Sequence, residues 1–214
     1  MTINTVLFDL DGTIANTLPV IRETYAKVFE EMNLPWGNDD VMKMIGLPLR
    51  EIGKIVAGPD HAEDFFNLYQ KHSARLHHQL VECYPGIKTM LFQLKKNNFD
   101  LGIVTSKTKK GADLTLTTTD LIEFFPLTVT VDDTLKHKPN PDPVLFALEK
   151  LQRAPQEAIF VGDSPFDIMC GNEAGVTTIA VTWGMARVDE LKACKPTFIA
   201  GSSNNLYERI LSLA

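Results

Sequence analysis

The strongest constraint on this chain is a set of short apolar runs that recur between segments of helical spacing. Val6-Leu7-Phe8, Leu101-Gly102-Ile103-Val104-Thr105, Ala158-Ile159-Phe160-Val161-Gly162 and Thr177 to Thr182 stay apolar, or nearly so, along their length. A strand with one wet face alternates apolar and polar residues, whereas a continuous run is buried on both faces. A strand from about Thr5 to Asp9 opens the chain, and another lies near Leu127 to Val131. Helical spacing marks Ile87 to Lys96, Pro143 to Leu151, Asp167 to Ala174 and Leu206 to Leu213. Helix alternating with buried strand predicts an α/β fold, a parallel sheet with helices on both faces. Trp183-Gly184 closes the last strand of that core, with packing as its expected role.

The stretch from Asn16 to Glu82 breaks the rhythm and holds no convincing strand. Ile21, Tyr25, Val28, Phe29 and Met32 form one helical stripe, and Phe65, Phe66, Leu68, Tyr69 and Leu76 belong to a second long helix over Ala62 to Leu80. Pro35, Gly37, Gly46, Pro48, Gly58 and Pro59 punctuate the segment between them. The pattern predicts a helical insertion of about seventy residues. The expected division is a core of residues 1–15 and 84–214 with a helical domain of residues 16–83.

Ligands of parallel sheets gather beyond the carboxyl ends of the strands. Here those ends are Asp9, Thr105, Asp132 or Asp133, Gly162-Asp163 and Thr182, three of them carboxylates. In Asp9-Leu10-Asp11-Gly12-Thr13, strand alternation points Asp9 and Asp11 to one side. Two like charges so close raise one another's pKa unless a cation lies between them. A hard divalent cation, Mg²⁺ above all, suits oxygen ligands, leaving one carboxylate to attack a phosphorus centre. Taken alone, the same residues also suit a plain turn with Gly12 at positive φ.

Three further segments stand beside the opening one: Ile103-Val104-Thr105-Ser106-Lys107, Lys138-Pro139-Asn140-Pro141-Asp142-Pro143, and Val161-Gly162-Asp163-Ser164-Pro165-Phe166-Asp167-Ile168. Singly, Thr105 and Ser106 also suit a helix cap, Lys138 a solvated lysine and Asp163 an N-cap. In order, spacing and type the four together resemble the haloacid-dehalogenase-like superfamily, specifically its Mg²⁺-dependent phosphatases with a helical cap inserted after the first motif. That resemblance covers essentially the whole chain and implies a Rossmann-like core. It implies that Asp9 is the nucleophile that becomes an aspartyl-phosphate, and that Asp11 is general acid and then base. It implies that Thr105 bonds the phosphoryl oxygens and that Lys138 neutralises them and anchors Asp9. It further implies that Asp163 completes a Mg²⁺ site with Asp9 and the Asp11 backbone carbonyl, and that Asp167 either ligates the metal or orients a bound water. Gly12, Thr13, Ser106 and Lys107 are the expected substrate contacts.

Gly46-Leu47-Pro48-Leu49-Arg50 resembles the cap loop of phosphoglycolate phosphatases. Arg50 either holds a substrate carboxylate or second phosphate, or pairs with Glu51 or a cap aspartate. Thr105-Ser106-Lys107 resembles the second motif of phosphoglycolate phosphatases and of related pyrophosphatases. Asn16-Thr17 stands where those phosphatases often carry Asp-Ser, which leans toward the pyrophosphatase branch. A dehalogenase, a phosphosugar mutase and a non-enzymatic phospho-binding module are the rivals. The dehalogenase needs neither the acid at Asp11 nor magnesium.

Composition excludes other classes. The net charge of −6 offers no field for nucleic acid. The three cysteines lack metal or disulfide-framework spacing. No signal-like or membrane-spanning segment is legible. The expectation is a cytoplasmic monomer or homodimer acting on a small phosphorylated molecule. No zinc set forms around His72, His77 and His78, which read as solvated helix positions, and no GxGxxG follows a strand.

Overall fold

The computed structural model describes residues 2–37 and 39–214. Six strands, β1 (Thr5–Phe8), β4 (Asp100–Val104), β5 (Leu127–Val129), β6 (Ala158–Gly162), β7 (Thr177–Val181) and β8 (Phe198–Ala200), form one sheet in the order β5-β4-β1-β6-β7-β8. Every neighbouring pair is parallel. Successive strand residues point to opposite faces, and both faces are dry. Val6, Phe8, Ile103, Ile159 and Val161 face α4 (Ile87–Lys96), α5 (Lys109–Thr118) and α9 (Ser203–Leu213). Leu7, Val104 and Phe160 face α6 (Asp142–Leu151) and α7 (Pro165–Ala174). The continuous apolar runs follow from this double burial.

Chain order runs outward from β1 in both directions, to β4 and β5 on one side and to β6, β7 and β8 on the other. The sheet therefore changes direction beside β1, where crossovers part and leave a crevice at the carboxyl ends. Asp9, Thr105 and Asp163 each follow the end of β1, β4 and β6 within a residue.

The inserted helices are α1 (Leu18–Glu31), α2 (Leu49–Ala57) and α3 (Ala62–Leu80). They enclose a core of their own, in which Val20, Ile21, Tyr25, Phe29, Ile52 and Phe65 meet. Met185 of the sheet portion packs against that cluster.

Three elements depart from the sequence reading. A two-residue ribbon, β2 (Ala15–Asn16) antiparallel to β3 (Glu82–Cys83), joins the two points where the chain enters and leaves the insert. Backbone bonds alone make it, so no side-chain period could announce it. β7 is not the last strand of the core. After Trp183-Gly184 the chain forms α8 (Val188–Ala193) and returns as β8. β8 is a three-residue edge strand, too short to show a period of two. No helix among the described residues is long and apolar enough to cross a membrane.

Candidate active site

The floor of the crevice holds four buried ionic groups. Lys138 Nζ donates to Asp9 Oδ1 at 2.6 Å and to Asp167 Oδ1 at 2.7 Å. Asp163 stands beside them, so that ligand oxygens of Asp9, Asp163 and Asp167 lie within 4.8 Å of one another. Lys138 is brought there by the loop before α6, and only 2 % of it is exposed.

Each carboxylate is held locally. Ser164 caps α7 with Pro165 in its first turn, and Ser164 N and Oγ both donate to Asp167 Oδ2, at 3.1 and 2.6 Å. Thr13 Oγ1 donates to Asp163 Oδ1 at 3.0 Å, and the Met185 amide donates to its Oδ2 at 2.7 Å. Trp183 Nε1 in turn donates to the Thr13 carbonyl at 3.0 Å. Gly12 turns the chain at φ +79°, and a Cβ there would collide with the Asp163 carboxylate. Gly12 and Thr13 thus pack under Asp163, whereas Ser106 and Lys107 face the crevice.

One lysine does not balance three buried carboxylates. Burial pushes the Asp9 carboxyl up; Lys138 pulls it down, but Asp167, Asp163 and Asp11 add to the upward shift, and the net direction is up. Burial and the neighbouring Asp167 likewise raise Asp163 to about 7, against the hydrogen bonds from Met185 and Thr13. Burial disfavours the charge on Lys138, yet Asp167 and Asp9 outweigh it and hold the ammonium protonated. The deficit of positive charge, on hard oxygen donors, fits a divalent cation such as Mg²⁺.

Asp11 stands apart from this cluster. Thr17 Oγ1 donates to its Oδ1 at 2.6 Å, and Lys107 Nζ lies 2.9 Å from its Oδ2. Asp11 faces the crevice as a separate carboxylate with its own donors. Thr105 is 4 % exposed, and its hydroxyl oxygen accepts from the Lys107 amide at 3.2 Å. Ser106 Oγ donates to the Gly46 carbonyl at 2.6 Å, tying the strand end to the loop of the insert. Gly46 has φ +109°, and a Cβ there would press on Phe166 and Ser164.

The insert roofs this floor over a cavity of about 320 Å³, near the lower end of small-molecule sites. Arg50 lines it but is engaged. Its Nε donates to Glu63 Oε2 at 2.9 Å, and its guanidinium lies 3.6 Å from the Phe66 ring centre. The partner is thus Glu63 rather than Glu51.

His77 departs from the solvated position read in the sequence. It is 3 % exposed, with Nε2 3.0 Å from Thr115 Oγ1 and Nδ1 3.3 Å from Thr118 Oγ1 of α5. Burial, then the Lys107 charge, lowers its pKa to about 4. Helical spacing alone gives no sign that this turn of α3 meets another helix. Tyr25, Tyr69 and His77 all line the cavity, although the two tyrosines read as members of apolar helix faces. The Thr17 contact with Asp11 also carried no signal, because it joins the start of α1 to a loop.

Residues 6–181 match the family model of haloacid dehalogenase-like hydrolases. A pyrophosphatase PpaX from Oceanobacillus iheyensis is 34 % identical over 93 % of this chain and 92 % of its own. Among solved structures, a haloacid dehalogenase-like hydrolase from Bacteroides fragilis superposes with a TM-score of 0.89 at 28 % identity, covering 96 % of this chain and 100 % of that one. A structure from Lactobacillus plantarum described as a phosphoglycolate phosphatase superposes with a TM-score of 0.87 at 28 % identity, over 97 % of this chain and 99 % of that one. The chain belongs to the haloacid dehalogenase-like hydrolases. Within them it is a phosphatase.

Proposed function

We propose that this phosphatase is Mg²⁺-dependent, that it cleaves a small phosphorylated metabolite through an aspartyl-phosphate, and that inorganic pyrophosphate is its favoured substrate. The observation that carries the mechanism is the placement of Asp9, ion-paired to Lys138 on the cavity floor while Asp11 stands apart with separate donors. One carboxylate is held as a nucleophile and the other is free to exchange a proton.

Asp9 Oδ attacks phosphorus as the bond to the leaving oxygen breaks. Protonated Asp11 gives its proton to that oxygen. Asp11, now a carboxylate, takes a proton from water, whose oxygen attacks the phosphorus and releases Asp9. Lys138 keeps Asp9 oriented, and Thr105 offers its hydroxyl to the transferring oxygens. Asp9, the Asp11 carbonyl, Asp163 and Asp167 would hold Mg²⁺. Bound there, the ion supplies charge neutralisation and alignment of the phosphoryl oxygens. Residues 16–83 serve as a cap that excludes water from the closed site.

Pyrophosphate is favoured by the name of the Oceanobacillus relative, which aligns along nearly the whole chain, and by Lys107 and Lys110 on the cavity wall. Phosphoglycolate is the second reading, supported by the Lactobacillus structure.

Borohydride trapping tests the mechanism, since it reduces an aspartyl-phosphate to homoserine. The expected result is homoserine at position 9 after turnover with Mg²⁺, and loss of turnover with EDTA. Turnover that persists in EDTA, or trapping at any other carboxylate, would overturn the proposal.

A further inference from the structure

Tyr25 of α1 and Tyr69 of α3 carry two phenol groups into the roof of the cavity. They are 2 % and 8 % exposed. Their ring centres are 5.0 Å apart, and Tyr25 stacks on Phe65 at 6.0 Å, so packing holds both rings in place. Neither hydroxyl hydrogen-bonds any described residue, whereas each surrounding apolar neighbour would be served equally well by phenylalanine. An unpartnered buried hydroxyl is costly, because it gives up its bonds to water and gains none in exchange. These two are not sealed off, because His137 Nδ1 is the one fully enclosed side-chain polar atom without a partner among the described residues. Both hydroxyls therefore open into the cavity.

Burial first, and then the Asp11 carboxylate, keeps the Tyr25 hydroxyl protonated. Burial, Tyr25 and Asp11 do the same for Tyr69. The two groups line the same cavity as Asp11, the residue assigned to protonate the departing half of a substrate. Each hydroxyl keeps its proton and can donate it to an acceptor in the cavity. Of the titratable roof groups, His77 is held by Thr115 and Thr118 and Arg50 by Glu63, while Gln70 and Ser73 of α3 line the same cavity.

We propose that the Tyr25 and Tyr69 hydroxyls form a leaving-group subsite that donates hydrogen bonds to a second oxyanion on the substrate, a phosphate or a carboxylate. This rests on the assignment of Asp11 as the acid at the leaving oxygen. Hydrogen bonds to a charged acceptor are stronger than those between neutral groups, so specificity for an oxyanion leaving group is set from the roof.

The test compares wild-type protein with Tyr25→Phe, Tyr69→Phe and the double variant on pyrophosphate, phosphoglycolate and p-nitrophenyl phosphate, the last lacking a second oxyanion. Each single variant is expected to lower the ratio of kcat/KM for the oxyanion substrate to that for p-nitrophenyl phosphate by about tenfold or more, chiefly through KM. The pyrophosphate and phosphoglycolate arms tell which oxyanion the subsite takes. A ratio unchanged in both single variants would overturn the subsite while leaving the Asp9 mechanism standing. So would proportional loss on all three substrates, which marks a structural role. Wild-type turnover of p-nitrophenyl phosphate alone would also overturn it. Absence of turnover on all three would instead bring down the underlying assignment together with the subsite.

Discussion

The floor and the roof of the cavity obey opposite rules. On the floor every carboxylate has a donor: Asp9 and Asp167 from Lys138, Asp167 again from Ser164, Asp163 from Thr13 and Met185. In the roof two buried hydroxyls have none, and Arg50 is held by a pair that is itself exposed. A network in which every carboxylate is tied holds one geometry, which is what a reacting centre requires. An unsaturated wall leaves its donors for whatever the cavity admits. The proposed function accordingly assigns the chemistry to the sheet portion and the selection of substrate to the inserted helices.

The contrast breaks first at Asp9. Asp9→Asn keeps the shape of the floor but removes the nucleophile, and kcat is expected to fall by about 10⁴-fold or more; steady-state assays check it. Retention of normal turnover would place the chemistry elsewhere. Lys138→Met probes the floor as structure, because it strands three buried carboxylates. Removing one partner of a buried ionic group costs about 3–5 kcal/mol, and urea unfolding should show a loss of that order. A loss under about 1 kcal/mol, the scale of an exposed pair, would mean that the floor is open to water.

His77 sharpens the boundary between the two regions, since it binds α3 of the insert to α5. Its pKa is depressed in the folded protein to about 4 from about 6.5 unfolded. The neutral form is the one that fits, so its contribution is complete above pH 6.5 and is lost as pH falls toward 4. Its ring is closed to the surface yet borders the cavity, where solvent screens it, so a loss of about 1–2 kcal/mol is expected. Wild-type and His77→Gln stability curves over that range should converge as pH falls. Parallel curves would show that His77 carries no charge penalty. The smallest effect belongs to Glu63→Gln, which loosens Arg50. Exposed ion pairs contribute about 0–1 kcal/mol, so the midpoint of thermal unfolding should shift by no more than a few degrees, and a larger drop would make the roof as tightly built as the floor.

Most of the floor was legible in the chain because each motif lies where a continuously apolar strand ends. Asp9, Thr105 and Asp163 could be placed on one side of a sheet before any contact was known. Lys138 was legible only through resemblance to the family, for a lysine before a proline has no local meaning. The roof was barely legible. Tyr25 and Tyr69 share the spacing of buried helix residues, and periodicity cannot tell a ring that fills a core from one that also ends in a cavity. Arg50 was left between substrate and surface partner, and the structure supplies Glu63, thirteen positions away across a helix turn.

The sequence by itself determined the alternation of helix and buried strand and the carboxylates at the strand ends. Those follow from local period and from where apolar runs stop. Only the tertiary structure decided that Gly12 and Thr13 serve Asp163, that Thr17 holds Asp11, that His77 is buried, and that two tyrosine hydroxyls lack partners. Each of these depends on contacts between segments far apart in the chain or on how the insert sits over the sheet. That relation joins residues distant in sequence, and no short-range pattern encodes it.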